Sequence, residues 1–220
     1  EQAGKGGKKA LGGVTASDLL KEITQIVIEQ QSTSLEILDQ IRGELEKHKI
    51  CMIKEDEVTE QQAQFVQDYF LQKVSPALVT IILNDLEELP RLKDSAAYLA
   101  VRMILDEDGK KEKKYILIEI PRGIDRFVEI PSEDGKKYII ILDDLIRFNL
   151  KSLFSIFNYE SISAHMIKIT RDAELDMAGD LTKSYIDKLL SSIKDRIEGE
   201  PVRFVYDKNI GEDTLGFLLS

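Results

Sequence analysis

The sequence contains no tryptophan, one cysteine, two histidines and five prolines in 220 residues. A lone thiol cannot close an internal disulfide, so the fold must be held by packing. Cys51 sits in the apolar run Ile50-Cys51-Met52-Ile53 and reads as a buried structural thiol, which fits a reducing compartment. No Cys/His cluster has the spacing of a zinc site. Long hydrophobic runs are missing too. A run such as Tyr138–Leu142 falls far short of the roughly 20 apolar residues that span a bilayer, and no stretch has the charged start, apolar middle and small-residue end of a signal peptide. The first residue is Glu rather than Met, which reads as an excised domain.

Positive charge is scarce: 30 basic against 40 acidic residues give a net charge of −10. Nucleic-acid affinity rests mainly on basic footprints, so nucleic acid is excluded as the expected partner. A polyanion would need bases concentrated locally against this background. Hydrophobic residues make up 43% and charged residues 32% of the chain, as in a globular protein whose length allows one or two domains.

Residues 1–14 include the Gly/Lys stretch GKGGKKALGG and read as a flexible linker or the tail of a preceding helical domain. They lack the order of a phosphate loop. Thr15 or Ser17 caps a helix expected over Asp18–Lys49, with Leu20, Ile23, Val27, Leu38, Ile41 and Leu45 on one face. The polar block Gln30–Ser34 crosses that face. A coiled coil with a polar layer, packing against another part of the same protein, and a local bend each account for it. Ile50–Ile53 reads as a strand, and Thr59-Glu60-Gln61-Gln62 opens a second helix reaching about Lys73, before Pro76.

From residue 77 the period changes to two. Strands are expected at Leu78–Leu83, Tyr98–Leu105, Lys114–Ile120, Phe127–Ile130 and Lys137–Ile141, with Lys110–Lys114 a charged hairpin tip. An amphipathic helix follows (Leu145, Ile146, Leu150, Leu153, Phe154), with Asp143-Asp144 as its cap. Then come a strand Ala164–Asp172, a helix Leu181–Ile197 ended by Gly199, a strand Val202–Tyr206 and a short terminal helix. This order predicts an α+β fold: long N-terminal helices packed with a largely antiparallel sheet, helices on one side, and two further helices.

Residues 143–176 end in Thr170-Arg171-Asp172-Ala173-Glu174-Leu175-Asp176. This run resembles the middle, or head, domain of the bacterial polyphosphate kinases that work through a phosphorylated histidine. That family has a "leucine-glutamate-aspartate-(leucine/valine)-isoleucine" helix followed by a "threonine-arginine-aspartate-alanine-aspartate/glutamate" strand. Glu29-Gln30, Phe65–Pro76, Arg126-Phe127-Val128 with Pro131, Val202-Arg203-Phe204 and Leu215–Leu219 are similar to further family segments, in the same order. One departure is Leu78–Asn84, which stands where the family has a long proline-rich connection.

The resemblance implies that residues 15–220 are a polyphosphate kinase head domain. It implies a cytoplasmic parent enzyme, or one peripheral to the inner face of the cell membrane, that transfers the terminal phosphate of ATP reversibly to polyphosphate through phosphohistidine, with Mg. The family's histidines, metal-associated arginines and adenine-contacting asparagine lie in other domains, and none of those motifs occurs in this chain. The expectation is therefore a fragment without catalytic residues or cofactors of its own. It would meet ATP and polyphosphate through the missing domains and would supply homodimer and channel architecture. The alternative is a stand-alone dimeric interaction module that uses the Asp18–Lys49 helix and has no phosphate chemistry.

Arg171, Arg126, Arg122 and Arg203 are the candidate polyphosphate contacts, because guanidinium offers paired donors to phosphate oxygens and does not titrate. Asp172, Glu174 and Asp176 offer Arg171 a structural ion pair instead, and that reading is the stronger. His48 reads as a helix-end surface residue and His165 as a structural strand histidine; a phosphate-transfer role for His165 is the lesser reading. Asp106-Glu107-Asp108-Gly109 lacks the closing glutamate of a calcium loop, and no Ser/His/Asp order stands out.

Overall fold

The structure, a computed structural model, describes residues 13–94, 96–107, 110–132, 134–171 and 201–219. The chain divides into two compact units, Glu1–Met52 with Glu133–Lys137 and Ile53–Ser132 with Tyr138–Ser220.

The first unit is dominated by α1, a continuous helix over Ala16–Lys47. Thr15 caps it, its side chain accepting the Asp18 N–H at 3.1 Å, which satisfies one of the orphan amides of the first turn. The polar block at its centre does not break it: the Thr33 hydroxyl donates to the Glu29 carbonyl at 3.0 Å, an acceptor with a second lone pair for the helical N–H. No residue of α1 is buried, and Leu20, Ile23 and Ile41 are about half exposed or more. The helix ends at His48, after which Lys49 takes a left-handed φ of 60° and its carbonyl accepts the Lys137 N–H at 2.8 Å. Strand β1 (Ile50–Ile53) is half-buried throughout. Cys51 is thus only half-buried, not the fully buried thiol expected from its apolar neighbours.

In the second unit α2 (Glu60–Tyr69) begins at Thr59, whose N–H is accepted by the Gln62 side chain at 3.0 Å. The helix then widens into a π turn over Phe70–Val74 and tightens to a 3-10 turn over Ser75–Ala77. Pro76 has no N–H to continue an α-helix, so the chain turns here into the sheet. Strands β2 (Val79–Ile82), β3 (Ala97–Glu107) and β4 (Lys110–Glu119) follow. After them comes the hairpin of β5 (Phe127–Ile130) and β6 (Lys137–Ile141), in register from Phe127↔Ile141 to Ile130↔Tyr138. Then come α3 (Leu142–Phe148), α4 (Leu150–Leu153), β7 (Tyr159–Arg171), β8 (Pro201–Tyr206) and α5 (Glu212–Leu218). The main sheet has the order β2-β4-β3-β7-β8, and every neighbouring pair is antiparallel.

Both faces of this sheet are covered. Leu99, Val101 and Met103 share a core with Val66, Phe70, Leu145 and Ile146 from the helices. Their alternate neighbours Tyr98 and Ala100 pack instead with Leu117 and Ile167, under Leu215 and Phe217 of α5. Helices on one side alone would have left this second apolar row in water, which corrects the one-sided layering expected from the hairpins. It also explains why Tyr115–Ile118 are buried without interruption, the pattern of a strand covered on both sides. The α+β class stands.

Three local expectations change. Lys110–Lys114 are not a loop tip: they form the first half of β4, paired with Met103–Glu107. Lys111 reaches Glu160 at 2.7 Å, Lys113 reaches Asp213 at 2.7 Å, and Lys114 lies 5.5 Å from the Phe157 ring centre. The single amphipathic helix after β6 is two short ones, divided at Asn149, whose buried amide donates to the Leu145 carbonyl at 2.8 Å. Strand β7 starts five residues earlier than expected, at Tyr159. The expected helix Leu181–Ile197 lies outside the described residues.

Candidate functional site

Arg171 closes β7 and is buried. Its backbone N–H donates to Asp94 Oδ1 at 2.9 Å and its Nε donates to the Leu92 carbonyl at 2.9 Å. The acids expected to pair with it, Asp172, Glu174 and Asp176, lie outside the described residues. The contacts in view come from a segment that is remote in sequence, Leu92–Asp94. Arg122 reaches the same segment: its Nη2 donates to the Asp94 carbonyl at 3.2 Å, and the residue is exposed. Between them, Lys93 donates its N–H to the Tyr98 hydroxyl at 2.9 Å and its Nζ to both Glu119 oxygens at 2.9 Å. The Glu119 hydrogen bond, and then its charge, raise the Lys93 pKa.

Arg171 and Arg122 are thus brought together around Asp94. Arg203 is exposed on β8, opposite Thr170 and next to the register shift at Thr170/Arg171. A cavity of 670 Å³ is lined by Arg171 together with Leu92, Ile169, Phe204 and Phe217. Arg126 belongs elsewhere. Its Nη2 stands 3.0 Å from Asp143 Oδ1, in a second charged cluster that sequence reasoning did not find.

That second cluster is built on α3. Asp143 and Asp144 were expected to cap the helix, but Ile141 is the residue before its first turn and both acids are buried inside that turn. They are there because Arg147, one turn on, reaches back to both: its Nη1 binds Asp144 Oδ1 and lies 3.6 Å from Asp143 Oδ2. The Arg147 Nε meanwhile donates to the Ala164 carbonyl of β7 at 3.1 Å. Burial first, and then a hydrogen bond with Glu55, push the Asp144 carboxyl up to about 7, against the lowering pull of Arg147. Spacing of i, i+3 and i, i+4 was the one signal in the sequence for this arrangement.

His48 is exposed at the end of α1. His165 is half-buried on β7, opposite Ala100, with Nδ1 4.0 Å from Asp207 Oδ2. Burial lowers its pKa, with Asp207 opposing, so the neutral imidazole is favoured. Among the described residues no group of three or more His, Cys, Asp or Glu side chains is gathered as metal ligands. None of the described helices is long and apolar enough to cross a membrane.

An antiparallel sheet with helices on both faces, with Arg171 and Arg147 each donating to a backbone carbonyl, defines an α+β domain. Comparison with known proteins gives the family. Residues 61–220 match the model of the polyphosphate kinase middle domain. The chain is 33% identical over 210 residues to the polyphosphate kinase of Yersinia pestis, covering 93% of this chain and 30% of the relative. It is 36% identical over 180 residues to that of Vibrio cholerae, covering 80% of this chain and 25% of the relative. The crystal structure of polyphosphate kinase from Porphyromonas gingivalis superposes with a TM-score of 0.71 at 25% identity, over 91% of this chain and 28% of that one. The chain belongs to the polyphosphate kinase family. It spans less than a third of the length of these relatives.

Proposed function

We propose that this chain is the head domain of an enzyme that transfers the terminal phosphate of ATP reversibly to polyphosphate. The domain supplies architecture and guanidinium groups along the polymer's path rather than the reacting groups. The observation that carries this reading is the match to polyphosphate kinases along almost all of this chain but less than a third of theirs. Phosphohistidine formation and the use of ATP and magnesium fall to the rest of the parent protein. In this reading the parent is a cytoplasmic homodimer, or one peripheral to the inner face of the membrane, and this domain contributes dimer contacts.

The geometry supports a division of labour among the four arginines. Arg171 is engaged through its backbone N–H and its Nε and holds the Leu92–Asp94 segment. Arg122, exposed and steadied through the Asp94 carbonyl, keeps the paired donors that suit phosphate oxygens, as does exposed Arg203. Arg126 is committed to Asp143. In a chain of net charge −10, such local cations are what a polyanion would need.

Two assays test the reading. ATP-dependent polyphosphate synthesis by this chain alone is expected to be absent, and robust turnover would overturn the division of roles. Polyphosphate binding measured at several salt concentrations is expected to weaken as salt rises and to fall in Arg122→Ala. Salt-independent or absent binding, together with self-association through α1, would favour the interaction module. The exposed apolar residues of α1 are the observation on that side.

A further inference from the structure

The layer of helices over the Leu99–Met103 face of the main sheet thins toward the end of β7. Residues directly opposite one another in an antiparallel pair share a face. Ala164, Met166 and Lys168 therefore stand on the face of their partners Val101, Leu99 and Ala97. Ala164 is buried, Met166 half-buried and Lys168 exposed. On β8, Val205 lies opposite Lys168, and Arg203 opposite Thr170. Lys168 and the exposed Arg203 are thus diagonal neighbours on one face, with backbones about 7–8 Å apart.

Two cations this close repel one another unless an anion lies against both. The sheet supplies none: Ala97, Thr170 and Val205, the positions around them on this face, are uncharged. Among the described residues neither Lys168 nor Arg203 is in an ion pair, whereas Lys111, Lys113 and Arg126 each meet a carboxylate. A third cation stands at the same end of the sheet. Arg122 donates to the Asp94 carbonyl, and the Asp94 carboxylate accepts the N–H of Arg171, the residue after Thr170. The acids of this region are committed, Asp94 Oδ1 to that N–H and both Glu119 oxygens to Lys93.

We propose that Lys168 and Arg203 form a binding site for successive phosphates of a polyphosphate chain, which crosses the exposed end of β7 and β8 on the face of Thr170 and continues toward Arg122. The site rests on the polyphosphate reading above and gives it a place and a further residue, Lys168. The Arg203 guanidinium offers a planar fork to the oxygens of one phosphate, and the Lys168 ammonium offers a point charge on a flexible stem to another. The half-buried Thr170 hydroxyl stands in the same row as a neutral donor. A linear chain of phosphates meets cations several ångströms apart at once, which a single orthophosphate does not do. The site should therefore prefer the polymer.

Calorimetric titration of the 220-residue chain with long-chain polyphosphate, and separately with orthophosphate, at two salt concentrations is the test. Lys168→Gln and Arg203→Gln should each weaken polyphosphate binding about twofold to fivefold, the scale of one exposed ion pair, and make its salt dependence shallower. Lys168→Arg should retain it. Lys110→Gln removes the same charge at the opposite end of the sheet, where Lys110 pairs with Glu107. It should change binding by less than about twofold, because salt screens a charge at that distance. Orthophosphate should bind more weakly than the polymer at equal phosphate concentration.

If Lys168→Gln and Arg203→Gln behave as Lys110→Gln while the wild-type chain binds polyphosphate, the site is overturned and the polyphosphate reading stands. Absence of binding by the wild-type chain overturns both. A lowered urea midpoint with unchanged affinity gives the two cations a structural role and also overturns the site. Should a variant fail to fold, amide NMR of the wild-type chain decides. The Lys168, Thr170, Arg203 and Val205 signals are expected to shift as polyphosphate is added, and stationary signals overturn the proposal.

Discussion

Arg171 and Asp94, 77 residues apart, are joined by a hydrogen bond of 2.9 Å from the Arg171 backbone N–H to the Asp94 carboxylate. The bond ties the end of β7 to the segment that leads into β3. The same Asp94 offers its carbonyl to Arg122, so one residue stands between a buried arginine and an exposed one.

Asp94→Ala removes the acceptor from a part-buried backbone N–H. Its expected cost is ~1–3 kcal/mol, the penalty of leaving such a donor unpaired. Urea denaturation followed by circular dichroism measures it, since the chain has no tryptophan to report by fluorescence. A change within ~0.5 kcal/mol, the range of inert surface substitutions, would mean that the bond contributes nothing.

Arg122 and Arg171 should separate stability from binding. Arg122→Ala is expected to leave stability within ~0.5 kcal/mol of the parent chain and to weaken polyphosphate binding with a shallower salt dependence. Arg171→Ala is expected to lower the urea midpoint, because the Leu92 carbonyl loses its donor. Calorimetric titration with polyphosphate at two salt concentrations, beside denaturation curves, distinguishes these outcomes. Equal effects of both variants on stability would remove the distinction drawn between them.

Asp213 gives an acid-side prediction. Its carboxyl accepts from Lys113 and Arg102 at 2.7 and 2.8 Å. The Lys113 hydrogen bond first, and then Arg102, lower its pKa to about 2, against a smaller opposing effect of burial. An acid with a depressed folded pKa contributes stability that is complete above its unfolded pKa of ~3.9 and is lost as pH falls toward the folded value. Asp213→Asn should therefore flatten the pH dependence of stability between pH ~4 and ~2. An identical acid limb in the variant would show that other carboxylates carry it.

Leu145 is fully buried on α3 against the sheet. Leu145→Ala should cost ~2–5 kcal/mol, the lost transfer energy plus the cavity left behind. Thermal or urea unfolding reads this directly. A loss below ~1 kcal/mol would mean that the helix collapses onto the gap.

Period-two alternation in Tyr98–Leu105 and Phe127–Ile130, the turn acids between strands and Thr15 ahead of a periodic run were enough to place most elements, because these signals act between near neighbours. The ordered motifs ending in Thr170-Arg171 named the family, which the matches over residues 61–220 then showed. The break at Asn149 was not legible: it depends on a side chain choosing the Leu145 carbonyl over solvent. The same limit hid the second apolar row, since Tyr98 and Ala100 look like the wet face of a strand until α5 covers them.

Pattern and composition by themselves determined the α+β order, the acidic balance and the family, all of which are written in residues close together or in their succession. Tertiary structure alone decided which charges meet. Arg171 finds Asp94 and Arg126 finds Asp143, because antiparallel strands and short helices bring distant segments within 3 Å or so of one another, the range at which hydrogen bonds form. An arginine in a sequence is a donor without an address. The burial of its partner and the direction of its strand decide whether it binds the protein or remains available to a phosphate.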